Sequence, residues 1–257
     1  MLSIDQIADF DRDGFVLAEG LFSIDEVDIL RQAVASASRV GEHTVVAHDA
    51  AGNESPLAIW NDIEDDVFGA VSANPRIVNS IRTVLREDVY HWHSKVMLKY
   101  PEGGGAWEWH QDYGYWYRDG CAYPRMASAM IAIDEAVKAN GCLKVMVGSH
   151  LLGRLDHCHV GKQYGANPER AEALVSKLPV RYVEAKPGSV LFFHCNLLHA
   201  SEPNLSKLPR LAYICCYNAF SNVPILGPGH GPPLPIQLAS DDAILQFARN
   251  DASECST

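Results

Sequence analysis

The pattern of apolar and polar positions divides the chain into two textures. Over the first 88 residues apolar side chains recur mostly at helical spacing. Ser3 and Ser23 stand where N-caps belong, and Glu26, three residues after Ser23, completes a capping-box pattern ahead of the stripe Ile24, Val27, Leu30 and Val34. A short helix is predicted over 3–13, ended by Gly14, and a longer one after Ser23. F-V-L-A after Gly14 reads as a strand. Residues 41–63 read as irregular apart from a strand at Thr44–Ala47. Further helical regions cover Asp65–Ser72 and, with Asn74 as cap and Pro75 in the first turn, the stretch to about Arg86. This third of the chain reads as mainly helical support.

The period changes to two at Val89. V-Y-H-W-H-S-K-V-M-L-K-Y alternates, with Tyr90, Trp92, Val96, Leu98 and Tyr100 on one face and His91, His93, Lys95, Met97 and Lys99 on the other. More strands follow in M-A-S-A-M-I-A-I, K-V-M-V, V-R-Y-V, S-V-L-F-F-H and L-A-Y-I-C-C-Y, separated by Gly, Pro and Asn turns. A short helix near Pro168–Lys177, capped by Asn167, interrupts them. Such a series indicates an antiparallel sandwich or barrel. Past Pro224 the chain is rich in Pro and Gly, and the last dozen residues read as frayed. The expected fold class is mainly β with flanking α, in one domain: helical support over 1–88, β core over 89–220, tail over 221–257.

Candidate chemistry concentrates in W-E-W-H-Q-D, residues 107–112. On a strand, His110 and Asp112 would share a face, so an imidazole nitrogen and a carboxylate oxygen could reach one ion. His199, at the end of F-F-H-C-N-L-L-H, is the best third ligand. Two His and one carboxylate form the facial triad of non-haem Fe(II) oxygenases, which leaves positions open for a co-substrate and O₂. Arg210 follows eleven residues later, about the length needed to finish a strand, turn and return alongside it, and a guanidinium there can grip a carboxylate through two parallel hydrogen bonds.

Composition narrows the partners. The 257 residues are 47% apolar, enough for one sizeable core. A formal charge of −11 argues against nucleic acid and anionic membrane surfaces as partners. No apolar run is long enough to span a bilayer, and the N-terminus lacks a secretory signal pattern, so a cytoplasmic protein is expected. Seven scattered Cys, with no C-x-x-C pair, read as reduced thiols. A small-molecule substrate is expected, with the protein a monomer or homodimer.

W-H-Q-D-Y-G-Y-W-Y, N-G-C-L-K-V-M-V-G-S-H, P-G-S-V-L-F-F-H and H-A-S ending in P-R-L-A, in this order, resemble the phytanoyl-CoA dioxygenase family of Fe(II)- and 2-oxoglutarate-dependent oxygenases. The resemblance covers roughly residues 10–220. Val147 departs from it, standing where members often have Pro. The resemblance implies a double-stranded β-helix (jelly-roll, cupin-like) core with N-terminal helices. It also implies His110, Asp112 and His199 as iron ligands, and Arg210 with Ser201 on the distal carboxylate of 2-oxoglutarate. Lys95 matches a lysine that reaches the same co-substrate. The implied reaction consumes O₂ and 2-oxoglutarate, releases succinate and CO₂, and hydroxylates a C–H bond. Related halogenases lack the carboxylate ligand, so Asp112 favours hydroxylation.

The remaining candidates are weaker. His91 and His93, on one strand face, read as polar lumen or surface positions. His194 shares a face with Val190 and Phe192 but yields to His199 as ligand, and His150 and His157 read as structural. Tyr113, Tyr115, Trp116 and Tyr117 could wall a substrate pocket, and Arg118, Arg154 and Asn61 could meet a polar substrate. The leading specific substrate is an aminophosphonate such as 2-aminoethylphosphonate. Alternatives are an amino acid, a natural-product intermediate or an acyl thioester. Outside this chemistry stand a non-catalytic metal-binding sensor and a zinc hydrolase, neither of which needs Arg210.

Overall fold

The computed structural model of the chain describes residues 1–226 and 232–254. Helix α1 (Ile4–Asp13) begins at Ser3, whose hydroxyl accepts from the Gln6 N–H while the Gln6 side chain accepts from the Ser3 N–H. Strand β1 (Phe15–Ala18) follows. Helix α2 (Ile24–Ser36) carries the capping box of Ser23 and Glu26. After the short α3 (Ser38–Glu42), strands β2 (Thr44–His48) and β3 (Glu54–Trp60) form a hairpin where mostly irregular chain was expected. Helices α4 (Val67–Ser72) and α5 (Pro75–Leu85) are capped by Asp66 and Asn74. Then come β4 (Val89–Lys99), β5 (Trp107–His110), α6 (Asp112–Trp116), β6 (Met126–Ala132) and β7 (Leu143–Met146). A small hairpin of β8 (His157–Val160) and β9 (Gln163–Ala166) precedes α7 (Pro168–Val175). Strands β10 (Val180–Val183), β11 (Val190–His194), β12 (His199–Ser201) and β13 (Arg210–Ala219) complete the β structure. Helix α8 (Ala243–Glu254) lies where a frayed tail was expected. Cys255 lies outside the described residues; the other six cysteines are free thiols.

Seven strands form one sheet in the order β1-β11-β6-β13-β4-β3-β2, and four form a second, β10-β7-β12-β5. Every strand pair is antiparallel. Two such sheets, filled between by side chains of both, make a double-stranded β-helix. Three strands of the larger sheet come from the first 60 residues, so that region builds part of the sheet as well as helices that cover it.

Two apolar layers follow. One fills the space between the sheets and includes Trp92, Met97, Val145, Val183, Phe193 and Ile214. The other lies between the outer face of the larger sheet and the helices, and includes Val27, Leu30, Ile77, Ile81, Ile131, Phe192 and Tyr213. Ile244 of α8 is fully buried in this second layer. Each such side chain contributes about 1.5–3 kcal/mol by leaving water.

Strand β4 departs from its expected faces. Cys216 of β13 lies opposite His93 and Tyr217 opposite His91, so Trp92 is one residue more than its partner strand offers. This bulge reverses the alternation. Tyr90 and Trp92 therefore join the layer between the sheets, whereas Val96 and Leu98 face the helices. His91 and His93 take opposite faces: His91 packs edge-on against Tyr217 and bonds Ser94, while His93 packs against Trp116. Tyr100 lies past the strand end and is exposed.

Candidate active site: a histidine pair set by strand register

Strand β5 ends at His110, and His199 of β12 is its direct cross-strand partner. The register alone therefore brings the imidazoles together, with ring centroids 4.1 Å apart. Asp112 is not on the strand, as the i, i+2 argument supposed. It is the first residue of α6, and the chain turns at Gln111. The three side chains still converge: one ligand atom from each of His110, Asp112 and His199 lies within 4.8 Å of the others.

Both imidazoles are oriented by backbone carbonyls. His110 Nδ1 lies 2.7 Å from the Glu108 carbonyl and His199 Nδ1 lies 2.9 Å from that of Leu197. A carbonyl only accepts, so Nδ1 carries the proton and Nε2 keeps its lone pair for the shared centre, the usual arrangement around metal-binding histidines. Burial lowers the pKa of both rings, which keeps them neutral and able to ligate. Asp112 accepts from Lys95 at 3.3 Å and from Ser128 at 3.2 Å. Burial pushes its pKa up, but the Lys95 ammonium beside it outweighs this and holds the carboxyl well below its usual range. The donor set fits a divalent iron ion: two neutral imidazoles and an ionised carboxylate on one side, with the rest of the coordination sphere open.

A second buried polar cluster lies where the end of β4 meets the start of β13. Arg210 does not return beside His199. Its strand belongs to the larger sheet and β12 to the smaller, so the connection crosses from one sheet to the other. Arg210 is 2% exposed; it donates to the Gly141 carbonyl at 3.1 Å, and its Nε has no hydrogen-bond partner among the described residues. Lys99, unassigned in the sequence reading, donates to Ser201 Oγ at 2.8 Å and to the Glu202 carbonyl. Burial first, then the Arg210 charge, lower its pKa to about 6. A buried guanidinium, an amine ready to take up a proton and a hydroxyl, with no carboxylate in salt-bridge contact with them among the described residues, suit a carboxylate ligand.

The aromatic run divides. Tyr115 packs 5.8 Å from the His110 ring and Trp116 lies under the Lys95 ammonium, so these two face the triad. Tyr113 is buried with its hydroxyl donating to the Cys121 carbonyl, and Tyr117 lies under the Arg154 guanidinium. Trp107, not singled out earlier, packs 6.2 Å from His110. Arg118 stacks on Tyr164, Arg154 pairs with Asp156, and the Asn61 carbonyl bonds His91 on the opposite face of the large sheet. His194 is half-buried beside Phe10 and His150 and does not join the triad. Two residues of the site that went unassigned hold Asp112 in place: Ser128, the only hydroxyl in β6, and Gln111, whose side chain bonds Gly153, Leu155 and Asn196.

This fold, with a two-His, one-carboxylate centre and a buried cationic floor, defines the non-haem iron dioxygenases that use 2-oxoglutarate. A family model for phytanoyl-CoA dioxygenase (PhyH) matches residues 10–212, and the chain belongs to that family. The ectoine dioxygenase of Bordetella parapertussis is 30% identical over 261 residues, covering 95% of this chain and 84% of that one. The L-proline trans-4-hydroxylase of Streptomyces griseoviridis is 27% identical over 231 residues, covering 84% and 86%. The crystal structure of EctD from S. alaskensis with bound Fe superposes with a TM-score of 0.77 at 27% identity, covering 92% of this chain and 87% of that one. The same enzyme with 2-oxoglutarate and 5-hydroxyectoine gives 0.76 at 26%, with the same coverage. The protein is a 2-oxoglutarate-dependent dioxygenase of the hydroxylase type, with iron as its metal. Among the described residues no helix is long and apolar enough to cross a membrane.

Proposed function

We propose that the protein hydroxylates a C–H bond of a small ring-bearing amino acid or related zwitterion, with His110, Asp112 and His199 holding the iron. The observation that carries the ligand assignment is the cross-strand pairing of His110 with His199, each with Nδ1 committed to a carbonyl. Iron with bound 2-oxoglutarate and O₂ supplies the oxidising power. The chain's own residues supply orientation. Arg210, Lys99 and Ser201 grip the distal carboxylate of the co-substrate, and Lys95 with Ser128 fixes the Asp112 carboxylate. Trp107, Tyr115 and Trp116 offer aromatic faces beside the triad, suited to a small ring and to a cationic nitrogen.

The substrate class rests on the relatives. Ectoine and L-proline are both small rings bearing a carboxylate and a cationic nitrogen. An aminophosphonate finds no such support. Its dianion would need several donors near the iron, and Arg118, Arg154 and Asn61 make their contacts with Tyr164, Asp156 and His91 instead. The amino-acid reading therefore replaces it. The test is succinate release stimulated by a panel of L-proline, other cyclic amino acids, ectoine and 2-aminoethylphosphonate, with product mass gain of one oxygen. Stimulation by the phosphonate and by none of the rings would reverse the choice. Succinate formation that survives both Asp112→Ala and Arg210→Ala would overturn the site assignment.

A further inference from the structure

We infer that His157 is a positioning residue for the metal site, acting through the peptide between His110 and Asp112. The inference rests on the reading of those residues as iron ligands. Strand β5 is the edge of its sheet, so one side of its backbone has no strand beside it in the ladder. The β8–β9 hairpin lies along that side, and side chains replace the missing ladder. Gln163 Oε1 accepts from the Glu108 N–H at 3.0 Å and Gln163 Nε2 donates to the Ala106 carbonyl at 2.8 Å. One amide thus makes the pair of bonds a neighbouring strand would make.

His157 continues the series at the point that matters for the ligands. Its Nε2 accepts from the Gln111 N–H at 3.0 Å, and its Nδ1 lies 3.0 Å from the Leu155 carbonyl. The carbonyl only accepts, so Nδ1 bears the proton and Nε2 is the acceptor. Gln111 is the residue at which strand becomes helix, so a shift of its peptide would move His110 and Asp112 relative to each other. The ring is also closely packed. A Cβ on Gly114 would come within 2.3 Å of the His157 imidazole, and Tyr115, which faces His110, packs 5.8 Å from it. Iron ligands tolerate displacements of about 0.5 Å, so a contact that fixes the peptide between two of them sets affinity without touching the metal.

Two variants separate the acceptor from the ring. H157F keeps an aromatic ring and loses the acceptor. H157Q loses the ring and can present Oε1 near the position of Nε2. The readouts are anaerobic Fe(II) titration at saturating 2-oxoglutarate, followed by the visible metal-to-ligand charge-transfer band, and the unfolding midpoint of the metal-free protein. H157F should weaken Fe(II) binding about 10–100-fold and shift the band, with H157Q recovering most of the affinity. Wild-type affinity and an unshifted band in H157F would overturn the inference. So would equal losses in the two variants, which would assign the effect to ring packing. If H157F does not fold, H157Q decides: near-wild-type affinity supports the acceptor role, and a 10-fold or greater loss refutes it. Failure of both to fold makes His157 a residue of the fold alone and refutes it too. A wild-type protein without any band would sink the ligand assignment itself, an outcome distinct from all of these.

Discussion

Binding of 2-oxoglutarate should draw a proton onto Lys99. The ammonium is buried beside Arg210 with no carboxylate against it, and its pKa is lowered from 10.5 to about 6. At pH 7.5 only about 3% of the protein would then carry the charge. A carboxylate brought against Lys99 and Arg210 restores the reason to hold it, so binding takes up close to one proton. Above pH 6 the affinity for 2-oxoglutarate should fall, by up to about tenfold per pH unit. Calorimetric titration of the anaerobic Fe(II) protein, in two buffers of different ionisation heat at pH 7.5, measures the uptake directly. Lys99→Met should abolish it. The same shift governs stability without ligand. Between pH 6 and 10.5 the unfolded chain holds a proton that the folded one lacks, so stability rises with pH across that window and is flat outside it. The slope is at most about 1.4 kcal/mol per unit, and Lys99→Met should remove it. Binding heats independent of buffer in the wild type, or an uptake unchanged in Lys99→Met, would refute the reasoning.

Other perturbations test separate parts of the structure. Arg210→Ala removes a buried guanidinium and should cost about 3 kcal/mol of 2-oxoglutarate binding, seen as a KM raised roughly a hundredfold. Ser128→Ala deletes one of the two donors that hold Asp112 and should weaken Fe(II) binding about tenfold with little change in unfolding midpoint. Gly114→Ala forces a methyl against the His157 ring and should lower both iron affinity and the unfolding midpoint. Ile244→Ala empties a fully buried position under α8 and should destabilise by about 2–5 kcal/mol in chemical denaturation, leaving the affinity for Fe(II) unchanged.

The parts of the fold legible in the sequence are those with a local cause. Ser3, Ser23 and Asn74 cap the helices they were expected to cap, because a cap depends on residues two or three positions away. Strands β6, β11 and β13 were legible as short apolar runs between turn residues, which is likewise a local signal. What escaped depends on partners far along the chain. Nothing in V-Y-H-W-H-S-K announces the bulge at Trp92, since the extra residue exists only relative to β13. Helix α8 carries Ile244 and Phe247 at helical spacing, but so short an apolar pair gains its weight only from the packing of α2 and α4. In the site, the triad showed itself through residue type, whereas Lys99 was hidden among alternating strand residues and Gln111 behind two conspicuous neighbours.

The site differs from the rest of the fold in what determines its geometry. The two histidines owe their meeting to strand register, a property of the whole sheet pair. Asp112 owes its place to a turn that no register governs, because β5 stops one residue after Trp109 and α6 begins two residues later. A ligand set of this kind needs something to tie the turn to the strand. Here that work falls to side chains bonded to backbone: Gln111 to three separate loop positions, His157 to the Gln111 N–H, and Gln163 to the strand itself. Such bonds are specific to their geometry and carry no periodicity. The same H-x-D spacing on a continuous strand would keep both side chains on one face and need none of these supports, so Gln111, His157 and Gln163 mark the cost of placing one ligand on a helix.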